Sequence, residues 1–140
     1  MNRKLKNEMS NQLTLETNPA SINQVEEFVE SLSKTLNFKE DVFGNVMVAV
    51  TEAVNNAIQH GNKNDPQKKI HLNFEVEKSF RLVVSVTDEG EGFNPDSLPD
   101  PTAPENLDKI GGRGVFLMQN LADELTFEEE GRRAVMKFFI

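Results

Sequence analysis

The chain has 140 residues, no cysteine and a formal net charge of −8. That length suits one domain, able to bury about two thirds of the surface its unfolded chain exposes. The missing cysteines exclude disulfides, thiolate metal sites and cysteine nucleophiles, and the acidic balance argues against a surface for nucleic-acid backbones.

Anionic phosphate, if bound, must therefore be held locally, by backbone amides, a helix N-terminus, a few cations or a metal ion. No apolar run has the length of a signal peptide or a membrane span, so a soluble, cytoplasmic protein is expected.

Residues 1–11 are polar and unpatterned and read as a tail, with one domain over residues 12–140. Leu13 and Leu15 alternate with polar neighbours, as in a half-buried strand. Ser21 followed by Gln24 has the form of a capping box, and Ile22, Val25, Phe28, Val29 and Leu32 repeat at helical spacing, which predicts a helix over 21–36. A second helix is predicted from residue 39 or 40 to 60, with a stripe of Val42, Phe43, Val46, Met47, Val50, Val54 and Ile58 and with Gly61 as a left-handed stop.

Ile70, Leu72, Phe74 and Val76, then Leu82, Val84 and Val86, predict a hairpin turning at Glu77-Lys78-Ser79. Residues 88–114 hold five of the eight glycines and four of the six prolines, and a loop of this length in a small domain is expected to be functional, a lid. A short helix over 115–122, a strand over 125–129, a turn at Glu130-Gly131 and a last strand over 132–140 complete the chain. Strands and helices do not alternate as a parallel sheet requires. The predicted fold is α+β, a two-layer sandwich with a largely antiparallel, mixed sheet of about five strands and helices on one face.

Three stretches carry chemistry. In the second helix Glu52, Asn56 and His60 are spaced one turn apart and form a polar row, opposite Ala49, Val50, Ala53, Val54, Ala57 and Ile58. Alone, such a helix reads as a core helix with a solvated face. Asp88-Glu89-Gly90-Glu91-Gly92 ends an apolar strand, where a carboxylate can accept from a ligand while glycines let the backbone bend close; alone, it reads as a turn. Gly111-Gly112-Arg113-Gly114 opens a helix after a loop, presenting backbone N–H groups and a guanidinium fork suited to phosphate.

In this order, about 36 residues from Glu52 to Asp88 and about 23 from Asp88 to Gly111, the three stretches resemble the N box and the two glycine boxes of the GHKL (Bergerat-fold) ATPase superfamily. Thr51 to Ala57, Ile58 to Gly61 and Gly112-Arg113-Gly114, with the compact length, are most similar to the small anti-sigma-factor serine/threonine kinases of bacterial partner-switching systems. The resemblance covers residues 12–140.

It implies roles that spacing does not give. Asn56 matches the asparagine that ligates the Mg²⁺ on ATP, and Glu52 the carboxylate that acts as general base or orients the attacking hydroxyl. Asp88 matches the acceptor for the adenine amino group, Gly90 and Gly92 the glycines below the base, and Gly111, Gly112, Arg113 and Gly114 the segment at the phosphates. Asn55 falls in the same box and is counted with the nucleotide-binding residues, whereas His60 is read as a structural residue whose partly cationic ring suits the helix end.

The implied function is ATP-dependent phosphorylation of an anti-sigma-antagonist (STAS-type) protein, together with sequestration of a sigma factor, by a homodimer without direct contact to nucleic acid or membrane. The alternative is a non-catalytic module whose partner affinity switches between ATP and ADP. A histidine-kinase fragment is disfavoured by the lack of an acceptor-histidine helix pair, and a clamp-type ATPase by the lack of further domains. The two histidines, His60 and His71, have no carboxylates at zinc-ligand spacing, no Gly-x-Ser-x-Gly elbow favours a serine hydrolase, and Glu128 to Arg133 reads as a solvated hairpin.

Overall fold

The structure is a computed structural model and describes residues 11–78, 80–92 and 112–140. The elements are β1 (Gln12–Glu16), α1 (Ser21–Leu36), α2 (Glu40–Asn56), a π-helical turn (Ala57–Gly61), β2 (Lys69–Glu77), β3 (Arg81–Thr87), α3 (Gly112–Leu121), β4 (Glu124–Glu128) and β5 (Arg133–Phe139). The Asn11 carbonyl accepts from the Phe74 N–H at 2.8 Å, just before β1. Residues 1–10, and residues 93–111 of the expected lid, lie outside the described residues.

The five strands form one sheet in the order β1-β2-β3-β5-β4, and every pairing is antiparallel. Alternation sets its two faces. Leu15, Ile70, Leu72, Phe74, Leu82, Val84, Val86, Met136 and Phe138 point inward and meet Val25, Val29, Leu32, Val46, Val50 and Val54 from the helices, all fully buried. Phe28 of α1 lies over Phe74 with ring centroids 4.7 Å apart, so it belongs to the packing between the layers. The two-layer α+β sandwich expected from the pattern is borne out.

Local details differ. Ser21 is not a cap: it is the first helical residue, buried, and its hydroxyl donates to the Glu16 carbonyl at 2.9 Å. The turn into α1 is closed instead by Asn18, whose Oδ1 accepts from the Ala20 N–H and whose carbonyl accepts from Ser21 N–H, both at 2.9 Å. At its other end α1 stops on Asn37, which takes the left-handed conformation and sends its N–H back to the Ser33 carbonyl.

Gly61 is not a left-handed stop either. The second helix loses its α pattern after Asn56, the Asn62 N–H bonding five residues back to Ala57 at 2.7 Å, and the chain turns away through Lys63 (φ 52) and Asn64 (φ 60). A π turn is a rare insertion that often marks a functional site.

Candidate functional site

The end of α2, the end of β3, the start of α3 and the β4–β5 turn meet around a cavity of about 170 Å³. Antiparallel pairing explains why. Register sets Thr87 opposite Arg133, so the residues after β3 and before β5 emerge side by side, and the Asp88 N–H donates to the Arg132 carbonyl at 2.9 Å.

Asp88 lines the cavity and is half-buried. Its Oδ1 accepts from the Gly90 N–H at 2.8 Å. Burial pushes its carboxyl above the ordinary value, and the Gly90 N–H, then the charges of Arg132 and Lys68, draw it part of the way back. The glycines around it are explained by space. A Cβ on Gly61 would overlap the Asp88 carboxylate, a Cβ on Gly90 would overlap the Gly61 carbonyl, and Gly92, at φ 83, faces the Glu130 carbonyl. Three glycines thus let the helix end, the Asp88 segment and the β4–β5 turn approach within backbone contact.

Asn56 lines the opposite wall, and Gly114 of α3 stands over it. A Cβ on Gly114 would lie 3.4 Å from Asn56 Oδ1 and 3.7 Å from Glu52 Oε2, so the start of α3 faces both residues. Glu52 flanks this junction without lining the cavity, and neither does the half-buried Asn55. Gly111 lies outside the described residues, and so does the side chain of Arg113, though Gly112 and Arg113 both belong to α3. The donor set at Asn56 and Glu52 fits Mg²⁺: hard oxygens, few of them from protein, with phosphate and water left to supply the rest.

The polar row expected along the helix is shorter than its spacing implies. Within α2 Glu52 and Asn56 keep the one-turn relation, but the π turn adds a residue per turn beyond it and breaks the alignment of His60. His60 still lines the cavity, and burial lowers its imidazole below the ordinary value. A neutral ring is therefore favoured, contrary to a cationic helix cap.

Several wall residues escaped the sequence reading. Val86, Val115, Met118, Phe127 and Ala134 give the cavity an apolar floor suited to a flat ring. Lys63, Glu91 and Arg132 stand at its rim, Lys63 Nζ lying 3.9 Å from Glu91 and Arg132 Nη1 donating to the Glu91 carbonyl at 3.2 Å. The run from Glu128 to Arg133 is thus more than a solvated hairpin. Its signal lies in the β3–β5 pairing, which no local pattern reveals. Glu89, next to Asp88, turns away from the cavity and pairs with His71 at 2.8 Å.

A family model for the histidine kinase-like ATPase domain matches residues 15–138. The chain belongs to that family. The resemblance to this superfamily is borne out by the match and by the RsbW relatives. This ATPase-family chain is 31% identical over 103 residues to the serine-protein kinase RsbW of Bacillus subtilis, covering 69% of the chain and 64% of that protein. It is 35% identical over 102 residues to RsbW of Staphylococcus aureus strain JH9, covering 66% and 63%.

In both cases the matched stretch spans less than two thirds of the relative. Among solved structures, the RsbU and RsbW domains of a Mycobacterium tuberculosis protein superpose with a TM-score of 0.63 at 14% identity, over 94% of this chain and 32% of that one. The histidine kinase domain of a blue-light activated kinase from Erythrobacter litoralis follows at 0.53 and 17%, over 89% and 60%. These two show the fold. No helix among the described residues is long and apolar enough to cross a membrane.

Proposed function

We propose that this histidine kinase-like ATPase domain is a serine/threonine protein kinase that uses ATP and Mg²⁺ to phosphorylate an anti-sigma-antagonist protein of the STAS type. The observation that carries the reading is the convergence at Gly114, which puts a carboxylate and an amide oxygen one helical turn apart beside a glycine-opened helix start. A module that only bound nucleotide would have no use for a carboxylate there.

In this reading the apolar floor takes the adenine and Asp88 accepts from its amino group. Gly112, Arg113 and Gly114, with Gly111, hold the phosphates at the positive end of α3. Asn56 would ligate Mg²⁺, which neutralises charge on the phosphates. Glu52 accepts the proton of the attacking serine or threonine hydroxyl as its oxygen bonds to the γ-phosphorus and the bond from that phosphorus to ADP breaks. Sequestration of a sigma factor, assembly as a homodimer and a cytoplasmic site of action belong to the same proposal, supported by the similarity to RsbW proteins.

Incubation with γ-labelled ATP, Mg²⁺ and a panel of antagonist domains tests it. Label on a serine or threonine of one antagonist is the expected outcome. Tight ATP binding with no transfer to any of them would leave the non-catalytic switch as the better account.

A further inference from the structure

Asn62, directly after the π turn, is 1% exposed, and both of its amide protons and its oxygen are engaged. Nδ2 donates to Thr17 Oγ1 at 2.9 Å and to the Lys69 carbonyl at 3.0 Å, while Oδ1 accepts from the Glu89 N–H at 2.8 Å. The orientation of the amide is fixed by its surroundings. Thr17 spends its own proton on the Lys68 carbonyl at 2.6 Å, so its oxygen can only accept from Asn62, and a flipped amide would set oxygen against oxygen and N–H against N–H.

Asn62 therefore ties the β1–α1 connection and the start of β2 to the residue that follows Asp88. Next to it in sequence, Gly61 lets the Asp88 carboxylate pack against the backbone of the π turn. One bond and one close contact thus join the helix end to the segment carrying Asp88.

We propose that Asn62 is a positioning residue for purine recognition: by holding the Glu89 N–H it sets the depth at which Asp88 meets the 6-amino group of the base. The inference rests on the nucleotide reading of the cavity given above. It assigns Asn62 no contact with the ligand. A buried amide with this many partners fixes geometry because each alternative position leaves a donor or acceptor unpaired.

The test compares binding of ATP and ITP, which carries a carbonyl in place of the amino group, to the full chain and to three variants by calorimetry. Asn62→Ala is expected to lower the preference for ATP over ITP about tenfold, the factor carried by one hydrogen bond to a charged acceptor, with ITP affinity little changed. Asn62→Ser, which leaves a polar group in place but falls short of Glu89, gives the same reading should the alanine variant unfold. Thr17→Val loses stability through the same amide while leaving the Glu89 bond intact, and it is expected to melt lower yet keep the full preference.

An unchanged preference in the Asn62 variants overturns the inference, and so does an equal loss in Thr17→Val, which would mark the effect as general loosening. A parent chain without preference for ATP overturns the nucleotide reading and the inference with it, a result distinguishable from the other two.

Discussion

The carbonyl oxygen of Gly61 occupies the place that a Cβ on Gly90 would take, and the Asp88 carboxylate occupies the place of a Cβ on Gly61. At Gly90 the neighbour is backbone and cannot move aside, and at Gly61 it is the Asp88 side chain itself that must be displaced. Gly61→Ala and Gly90→Ala are each expected to cost about 1–3 kcal/mol of folding stability and to weaken ATP binding, because the forced shift moves Asp88. Denaturant unfolding with and without ATP checks both. A variant as stable as the parent contradicts the packing.

Gly114 presents the opposite case. A methyl group there would meet Asn56 at 3.4 Å, an ordinary contact, inside α3, where alanine favours the helix by about 1 kcal/mol over glycine. Gly114→Ala is expected to fold at least as well as the parent and yet bind Mg²⁺-ATP more weakly, since the methyl group would take space beside the amide oxygen that we propose ligates Mg²⁺. Equal Mg²⁺-ATP affinity would separate Gly114 from the phosphate site.

The Asp88 carboxyl, raised by burial, gives a stability effect of definite sign. The folded chain holds this proton more tightly than the unfolded chain. The contribution of Asp88 to stability is therefore greatest below the ordinary carboxylate value and is lost as pH rises through the raised one. Asp88→Asn should raise the melting temperature of the nucleotide-free protein at pH 7 by a few degrees, with the gain shrinking in acid, while the preference for adenine falls. A melting temperature lowered at pH 7 contradicts the burial argument.

Glu89 behaves in the opposite way. The hydrogen bond with His71, then the Lys69 N–H at 2.9 Å, hold its carboxyl below the ordinary value. The folded chain holds this proton less tightly, so the stabilisation is complete above the ordinary value and is lost as pH falls through the lowered one. Glu89→Gln should flatten the acid side of the curve of melting temperature against pH. An acid slope equal to that of the parent would show the pair to be without effect.

The parts of this fold that were legible in the sequence are those set by local periodicity. Alternation at Ile70 to Val76 and Leu82 to Val86, and helical spacing from Ile22 to Leu32, name the inward faces because a face repeats every two or three to four residues. The N box and the Asp88 and Gly114 boxes were legible for a similar reason, each being a short run. What depended on distant contact was not. Gly61 looked like a helix stop because its real neighbour, Asp88, lies 27 positions further along. Arg132 looked solvated because its place at the rim follows from the β3–β5 register, and Asn62 carried no mark of burial because its partners are Thr17, Lys69 and Glu89.

Glu52, beside Asn56 and facing Gly114, is the residue to which we assign the proton acceptor in phosphoryl transfer. The most direct measurement is single-turnover transfer from γ-labelled ATP to the antagonist by the parent and by Glu52→Gln, with ATP affinity measured on the same samples. The variant is expected to bind ATP as the parent does and to transfer about 100-fold or more slowly, the usual contribution of a general base. Transfer by Glu52→Gln at the parent's rate would contradict the role of Glu52.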